Sequence, residues 1–123
     1  MRTSRTKYGS KKVTRDGVTY DSVKEYRRFC ELSLLLRAGA ITELRRQVEY
    51  ELIPAQREPD TVGVRGGVKK GKVIEHAVKY VADFVYKENG KEIVEDTKGF
   101  KTKDYIIKRK LMLWVHGIRI KEI

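Results

Sequence analysis

Two aspartates and a lysine are the residues of this sequence whose types and spacing could carry chemistry. Asp83 lies in one segment rich in β-branched and aromatic residues, and Asp96 and Lys98 lie in the next. Because side chains alternate along a strand, Asp96 and Lys98 share one face. The Asn89-Gly90 pair between the segments predicts a tight hairpin, which would bring Asp83 onto the same surface.

Two carboxylates on one surface are typical ligands for a hard divalent cation. Their oxygens suit Mg²⁺ or Mn²⁺, which also accept phosphate oxygens. Lys98 could orient or deprotonate an attacking water, or hold a phosphate oxygen. Regular alternation places Asp83 on the face of Val81 and Val85. The competing interpretation is a pair of hydrated strands whose charges face solvent.

Glu25 is a possible third acid, on the first predicted helix. It recurs at helical spacing with Phe29, Leu32 and Leu36, so it lies on the line of the predicted buried stripe. A carboxylate there needs a partner, and a metal would be one. The alternative is a capping box, in which Glu25 bonds back to the Ser22 amide.

The elements that would position these residues alternate between strands and helices. We predict an α/β (α+β) domain with a mixed sheet packed by helices, in the order β-hairpin–α–β–β–β–α–β. The segments in chain order are a basic flexible arm at 1–10, a hairpin around Asp16-Gly17, a helix from Ser22 to about residue 37 with Gly39 after it, a strand at 48–52, a long mobile basic loop at about 55–72, strands at 73–86 and around Ile93-Val94, a helix from Thr102 to Gly117, and a last strand at 118–123.

The second predicted helix carries its own apolar spacing. Ile107, Leu111 and Trp114 recur at i, i+4 and i+7, which predicts that all three are core residues.

The same residues resemble a known superfamily. Asp83, followed by Asp96-Thr97-Lys98, matches the pattern of PD-(D/E)xK nucleases, with Ala82 in place of the proline. More specifically, the chain resembles a small family of uncharacterised phage and prophage proteins grouped with those enzymes, whose core is similar to phage endonuclease I and TnsA-type endonucleases. The motifs that carry the resemblance are Lys7 to Lys12, Asp16-Gly17, Asp21-Ser22-x-x-Glu25, Tyr80 to Phe84, Val94 to Gly99 and Lys103-Asp104-Tyr105-x-x-Lys108.

The resemblance implies a restriction-endonuclease-like fold and a role for each site residue. Asp83 and Asp96 would ligate Mg²⁺, with Mn²⁺ as a substitute, and Glu25 would complete the site. Lys98 would assist the water. Parity points Glu95 away from Asp83, so Glu95 replaces Asp96 as a ligand only if a bulge shifts the strand. Gln47 matches an auxiliary glutamine position, although it equally suits an ordinary strand edge.

The charge distribution indicates a polyanionic partner. The 123 residues carry a net charge of +11, while residues 81–100 are acidic. We expect phosphate contacts from the basic residues outside the arm, namely Lys11, Lys12, Arg65, Lys69, Lys70, Lys72, Lys101, Lys103, Lys108 and Arg109. Apolar runs are too short to span a bilayer, and no nucleotide-binding loop is present, so no membrane and no nucleotide cofactor are expected.

These observations predict a Mg²⁺-dependent DNA endonuclease, with a basic, non-catalytic nucleic-acid-binding module as the alternative. One chain carries one site, so cutting two strands or a junction requires a homodimer. Branched DNA is the expected substrate by analogy with endonuclease I, and RNA is a weaker possibility. Cys30 has no partner cysteine, and together with the absence of an apolar leader this predicts a cytoplasmic protein.

Overall fold

The computed structural model describes residues 11–123 as an α+β fold, and the predicted basic arm at 1–10 lies outside these residues. The elements in chain order are β1 (Val13–Arg15), β2 (Val18–Tyr20), α1 (Val23–Arg37), β3 (Thr42–Ile53), β4 (Gln56–Arg57), β5 (Thr61–Val62), β6 (Val68–Lys69), β7 (Val73–Glu75), β8 (Val78–Glu88), β9 (Lys91–Asp96), α2 (Lys103–His116) and β10 (Lys121–Glu122). Neither helix is long and apolar enough to cross a membrane.

The central sheet is mixed and has four strands in the order β10-β9-β8-β3. β8 runs antiparallel to both β3 and β9, and β10 returns parallel to β9 after α2. A parallel return needs a crossover element, and α2 supplies it. The predicted order of main elements and the mixed sheet are therefore confirmed.

Both predicted hairpin turns form at their signal dipeptides. Asp16 and Gly17 have φ values of 51° and 77°, and Asn89 and Gly90 have 51° and 77°. Positive φ at both central residues is the requirement of a type I′ turn, which Asn-Gly and Asp-Gly meet most easily. The second turn fixes the register that places Phe84 opposite Glu95.

The helix boundaries follow their capping residues. Ser22 Oγ accepts from the Glu25 amide at 3.1 Å, and Thr102 Oγ1 accepts from the Tyr105 amide at 3.1 Å. Gly117 ends α2 in the left-handed region, at φ 67°. The predicted capping box differs in one detail, because the Glu25 carboxylate accepts from the Asp21 amide at 2.9 Å rather than from that of Ser22.

Three predicted strand boundaries are wrong. β3 begins at Thr42, six residues before the predicted start, because polar side chains fill its exposed positions and hide the strand pattern. The predicted strand at 73–86 is two strands, β7 and β8, with a break at residues 76–77. The last strand comprises only Lys121–Glu122.

The predicted long loop at 55–72 is also corrected, because it contains short strands. β4 pairs with β7 and β5 pairs with β6, both antiparallel, so this segment and β7 form a two-tier ribbon. Gly71 is required in it: a Cβ at that position would lie 1.8 Å from the Glu58 carbonyl oxygen. Strands of two residues carry no hydrophobic period, which is why the sequence pattern indicates a loop.

The helices pack on opposite faces of the sheet. Leu32 of α1 packs with Phe84 and Tyr86, and Ile93 joins that cluster. Met112 of α2 packs in a second cluster with Val94, which is next to Ile93 and therefore faces the other way.

The predicted buried face of α2 is partly wrong. Trp114 is 85% exposed and Ile107 is 56% exposed, whereas Leu111 is partly buried against the core. Tyr105 and Met112, seven residues apart, are the buried residues of α2 instead. On α1, Leu36 at the end of the predicted stripe is 40% exposed.

β8 changes faces at Asp83. Tyr80 and Ala82 pack in the cluster on the α2 side, whereas Phe84 and Tyr86 pack in the cluster on the α1 side. Residues two apart share a face in a regular strand, so alternation is interrupted between Ala82 and Phe84. The predicted regular alternation around Asp83 is wrong for this reason.

β3 makes the same change at the matching point. Leu44 packs on the α1 side and Val48 on the α2 side, and Gln47 between them has φ 52°. In the register of β3 and β8, Arg46 lies opposite Phe84 and Val48 lies opposite Ala82. Gln47 and Asp83 lie between these two pairs and are not themselves a register pair. The irregularity therefore places Gln47 and Asp83 opposite each other, where the two strands cross from one face to the other.

Candidate functional site

Asp83 lies at the centre of a group of acidic side chains. Its Oδ2 accepts from the Thr97 amide at 2.8 Å and from Thr97 Oγ1 at 2.9 Å. These two bonds join the middle of β8 to the end of β9 and fix the carboxylate at the point where β8 changes faces. The side chain remains only half-buried, so it is accessible from solvent.

Glu25 approaches Asp83 from α1. It is 1% exposed, and its Oε1 accepts from Gln47 Nε2 at 3.1 Å and Arg46 Nη2 at 3.3 Å. Burial raises the pKa of Glu25, the Asp83 carboxylate raises it further, and the hydrogen bond from the Asp21 amide opposes the rise. Glu25 is therefore a helix cap and also a member of the acidic group.

Asp21 is a member that the sequence reasoning missed. Carboxylate oxygens of Asp21, Glu25 and Asp83 lie within 4.8 Å of one another. Capping is the usual role of an aspartate at a helix start, so the residue type alone did not indicate a ligand. The spacing of Asp21, four residues from Glu25, was the available signal, since residues four apart meet on one side of a helix turn.

Asp96 lies on the other side of Asp83 and is completely buried. Its Oδ2 accepts from the Tyr80 hydroxyl at 2.6 Å, but its Oδ1 accepts no hydrogen bond from any residue between 11 and 123. Lys98 Nζ is 4.0 Å from Oδ1 and 5.5 Å from the centre of the Tyr105 ring. Buried carboxylate oxygens are nearly always satisfied, so an unsatisfied one leaves a position for a water molecule or a cation.

The protonation equilibrium of Asp96 reflects this environment. Burial raises its pKa to about 6, and the neighbouring Asp83 charge adds to the rise. The Tyr80 hydroxyl and the Lys98 ammonium act in the opposite direction. A carboxylate in this state gains free energy from a bound proton or from a cation.

Glu95, the adjacent residue, is also completely buried but is fully paired. Arg28 Nε donates to Oε1 at 2.7 Å, Arg28 Nη2 donates to Oε2 at 2.6 Å, and the Tyr86 hydroxyl also donates to Oε2. The fork of two bonds is the strongest carboxylate–guanidinium geometry. Glu95 thus holds α1 on the sheet, and its oxygens are not available as the alternative ligands.

The site is flanked by a small cleft on its α2 side. Its volume is about 230 Å³, and its charged lining residues are Lys98, Lys108 and Asp104. Lys108 is the only member of the expected phosphate-contacting set that lines it among the described residues. Two lysines against one aspartate give the lining of this cleft a net positive charge.

The other basic residues of that set lie in three places. Lys11 and Lys12 precede β1, and Lys103 begins α2; all three are exposed. The two-tier ribbon exposes four more, Arg65, Lys69, Lys70 and Lys72. Lys101 and Arg109 are 3.6 Å and 3.3 Å from Glu122 carboxylate oxygens, so their charges are partly neutralised.

Of the predicted site residues, the structure brings together Glu25, Gln47, Asp83, Asp96 and Lys98. The residues that orient them were missed, because neither a hydroxyl donor nor a guanidinium donor has a spacing signature; they are Tyr80, Thr97 and Arg46. Gln47 is inside β3 rather than before it, and its positive φ is what turns it towards Glu25.

Comparisons with known proteins give one family. No curated protein and no solved structure matches the chain. A protein-family model described as "Protein of unknown function (DUF1064)" matches residues 5–118, which include every residue of the acidic group. The chain therefore belongs to the DUF1064 family.

Proposed function

We propose that this protein is a Mg²⁺-dependent DNA endonuclease of the PD-(D/E)xK type, acting on branched or recombination-intermediate DNA of a phage or prophage. The observation that carries the proposal is the Asp96 carboxylate, which is buried, has one oxygen without a donor, and lies beside Asp83 with Lys98 Nζ at 4.0 Å. An arrangement that costs stability in this way is typical of a catalytic site.

The acidic group fits a hard cation. Asp83 and Asp96 would hold it. Oxygens of Glu25 and the exposed Asp21 lie within 4.8 Å of an Asp83 oxygen and would complete the set on that side, whereas Asp96 is not one of these three mutually close carboxylates. The unsatisfied Oδ1 supplies a ligand position that no protein donor occupies among the described residues. Bound Mg²⁺ supplies charge neutralisation at a phosphodiester and a lowered pKa for its water.

The remaining side chains position the acids and the substrate. Thr97 and Tyr80 fix one oxygen each of Asp83 and Asp96, leaving the second oxygen of each for other partners. Gln47 holds Glu25 against the acidic group. Lys98 is placed to orient the attacking water or to hold a phosphate oxygen, because its ammonium is half-exposed at the edge of the site.

Positive charge supports DNA as the partner. The net charge is +11, and exposed lysines lie on the ribbon and at the start of α2. This distribution attracts the phosphate backbone while reserving the acids for chemistry. We further propose a homodimer for cutting two strands and a cytoplasmic location, where the single Cys30 would remain reduced.

The test is cleavage of supercoiled plasmid and of a four-way junction, in Mg²⁺ and in EDTA. Wild-type protein should nick or cut DNA only with the metal. Asp83→Asn should abolish cutting, and Lys98→Ala should strongly slow it. The matched control is Glu92→Gln, since Glu92 is an acid on the same hairpin that pairs with the exposed Arg45 at 3.1 Å. It should cut as wild type does.

Three results would contradict the proposal. Cutting that survives Asp83→Asn would show that the assignment of the catalytic site to Asp83 is wrong. DNA binding without cutting in Mg²⁺ or Mn²⁺ would favour the non-catalytic module. Cutting of labelled RNA in preference to DNA would change the substrate class.

A further inference from the structure

A second concave site lies between the β1–β2 hairpin and α1. It is a groove of about 450 Å³, within the range of roughly 300–1,000 Å³ that small-molecule sites occupy. Residues from β2, α1 and β3 line it, so it has a preformed floor rather than a loop surface. The lining residues used below are Arg15, Tyr26, Phe29, Cys30, Arg37 and Arg46.

The floor combines aromatic rings with arginines. Tyr20 packs against Tyr26 at 5.2 Å and against Phe29 at 5.7 Å between ring centres. The Arg46 guanidinium lies 4.2 Å from the Tyr20 ring centre, and that of Arg15 lies 5.6 Å from the Tyr26 ring centre. Tyr26 and Phe29 are only half-buried, so part of each ring faces the groove.

The charge of the groove selects for an anion. Three arginines line it, Arg15, Arg37 and Arg46, against the single acid Asp16. Arginine beside exposed aromatic rings is the combination that stacks a nucleobase and holds its phosphate. A protein segment would meet the same rings, but the excess of guanidinium groups favours a ligand that is both planar and anionic.

The groove adjoins the acidic site. Arg46 lines the groove and also donates to Glu25 Oε1 at 3.3 Å, while Asp21 directly follows Tyr20 in the chain. Arg46 Nε is buried and has no hydrogen-bond partner among residues 11–123. A nucleotide in the groove would therefore be a near neighbour of any phosphate held at Asp83.

We infer that this groove receives one unpaired nucleotide of the DNA substrate, with its base on Tyr26 and Phe29 and its phosphate on Arg15 and Arg37. The inference rests on the proposed function and narrows its substrate to DNA with an unpaired nucleotide beside the cut, as at a branch, gap or flap. A base within an intact duplex is stacked between its neighbours and cannot enter without unstacking.

Cys30 provides a direct probe, because it lines the groove, is exposed and is the only cysteine of the chain. The experiment measures the rate of Cys30 alkylation by a maleimide in EDTA, where no metal-dependent cutting interferes. The full-length protein is compared free, with a thymidine oligonucleotide, with a flapped duplex and with a blunt duplex. Fluorescence anisotropy sets the same bound fraction for each DNA.

The oligonucleotide and the flapped duplex should slow alkylation in proportion to the bound fraction, and the blunt duplex should leave it unchanged. Tyr26→Ala should lower the affinity for the oligonucleotide by about tenfold through lost stacking and remove the protection, whereas Tyr26→Phe should retain both. The control is Trp114→Ala, which removes an exposed aromatic residue on α2, away from the groove. It should leave protection intact.

Each other outcome overturns the inference. If anisotropy shows that DNA binds but Cys30 stays equally reactive, the inferred nucleotide site in the groove is wrong, and the proposed nuclease function is unaffected. Equal protection by blunt duplex would show general DNA coverage rather than an unpaired base. If none of the DNAs binds, both the inferred nucleotide site and the proposed function are wrong.

Discussion

Glu95 and Asp96 are adjacent in β9 and equally buried, yet neutralising each should shift stability in opposite directions. The reason is their partners. Both oxygens of Glu95 accept bonds from Arg28 or Tyr86, whereas the side chain of Asp96 has one donor, Tyr80, and one unsatisfied oxygen among residues 11–123. The perturbation is therefore a pair of single substitutions, Glu95→Gln and Asp96→Asn, in metal-free protein.

Glu95→Gln removes the counter-charge of Arg28. The Arg28 side chain is 16% exposed, so most of its guanidinium would be left without a compensating charge away from water. Removing one partner of a buried ion pair costs about 3–5 kcal/mol. We expect about 3 kcal/mol, near the lower limit, because Arg28 keeps its 2.8 Å contact with Glu31 and Gln retains one acceptor.

Asp96→Asn should stabilise the protein at neutral pH. The folded-state pKa of Asp96 is raised from 3.8 to about 6, first by burial and then by Asp83. A raised carboxyl pKa means that the folded state binds its proton more tightly than the unfolded state does, so wild type loses stability as pH rises from about 4 to about 6. Above that range the loss of stability is complete and corresponds to roughly 3 kcal/mol at most. Asn does not ionise, so the variant avoids this loss.

The assay is urea unfolding in EDTA at pH 4.5 and at pH 8, followed by circular dichroism. The free energy of unfolding of Asp96→Asn should exceed that of wild type by about 1–3 kcal/mol at pH 8 and by less at pH 4.5. Glu95→Gln should be less stable than wild type at pH 8. Equal destabilisation by both substitutions at pH 8 would refute the distinction between a paired and an unsatisfied carboxylate.

Four further substitutions test other parts of the structure. Lys98→Ala should lower the single-turnover cutting rate by about 10²-fold or more, since general acid–base assistance has that magnitude. The DNA dissociation constant should change little. A large loss of affinity with an unchanged rate would assign Lys98 to binding only. Trp114 is exposed, so Trp114→Ala should change the free energy of unfolding by less than about 0.5 kcal/mol. Met112 is completely buried, so Met112→Ala should lower that free energy by about 2–5 kcal/mol. Thermal unfolding in which Trp114→Ala is the more destabilised variant would contradict this placement of the two residues. Gly71→Ala should open the ribbon, since its Cβ would meet the Glu58 carbonyl oxygen at 1.8 Å, and limited proteolysis should then cut within residues 55–72 faster than in wild type.

The parts of the fold that the sequence predicts correctly are those set by local chemistry. Asp16-Gly17 and Asn89-Gly90 specify turns because both central residues need positive φ. Ser22 and Thr102 specify helix starts because a short hydroxyl side chain can accept from a first-turn amide. Together with the order of the apolar segments, these signals predict the α+β class and the mixed sheet.

The ribbon at 55–72 and the exposed Trp114 were not predictable in the same way. Strands of two residues are held by pairing between distant backbone segments, and no side-chain period records that pairing. Helical spacing identifies a stripe on α2 but not which of several stripes faces the sheet. Tertiary packing selects the stripe of Tyr105 and Met112.

Of the acids at the site, Glu25, Asp83 and Asp96 were predictable, whereas Asp21 and the geometry were not. The spacing of Asp83, Asp96 and Lys98 across a hairpin suffices to bring them together. The change of faces at Gln47 and Asp83 violates regular alternation, and it is this irregularity that lets Glu25 of α1 and Asp96 on the α2 side both lie near Asp83. Strand parity alone cannot foresee it, because positive φ at a glutamine has no sequence signal.

The most direct test of the central claim is anomalous diffraction from crystals soaked in Mn²⁺. Our account predicts a Mn²⁺ peak in contact with Asp83 and with Asp96 Oδ1, the buried oxygen that has no donor within residues 11–123. It also predicts that the peak is absent from crystals of Asp96→Asn, whose fold should be intact. A wild-type structure with no peak at these carboxylates, or with Asp96 Oδ1 bonded to a protein donor instead, would contradict the account.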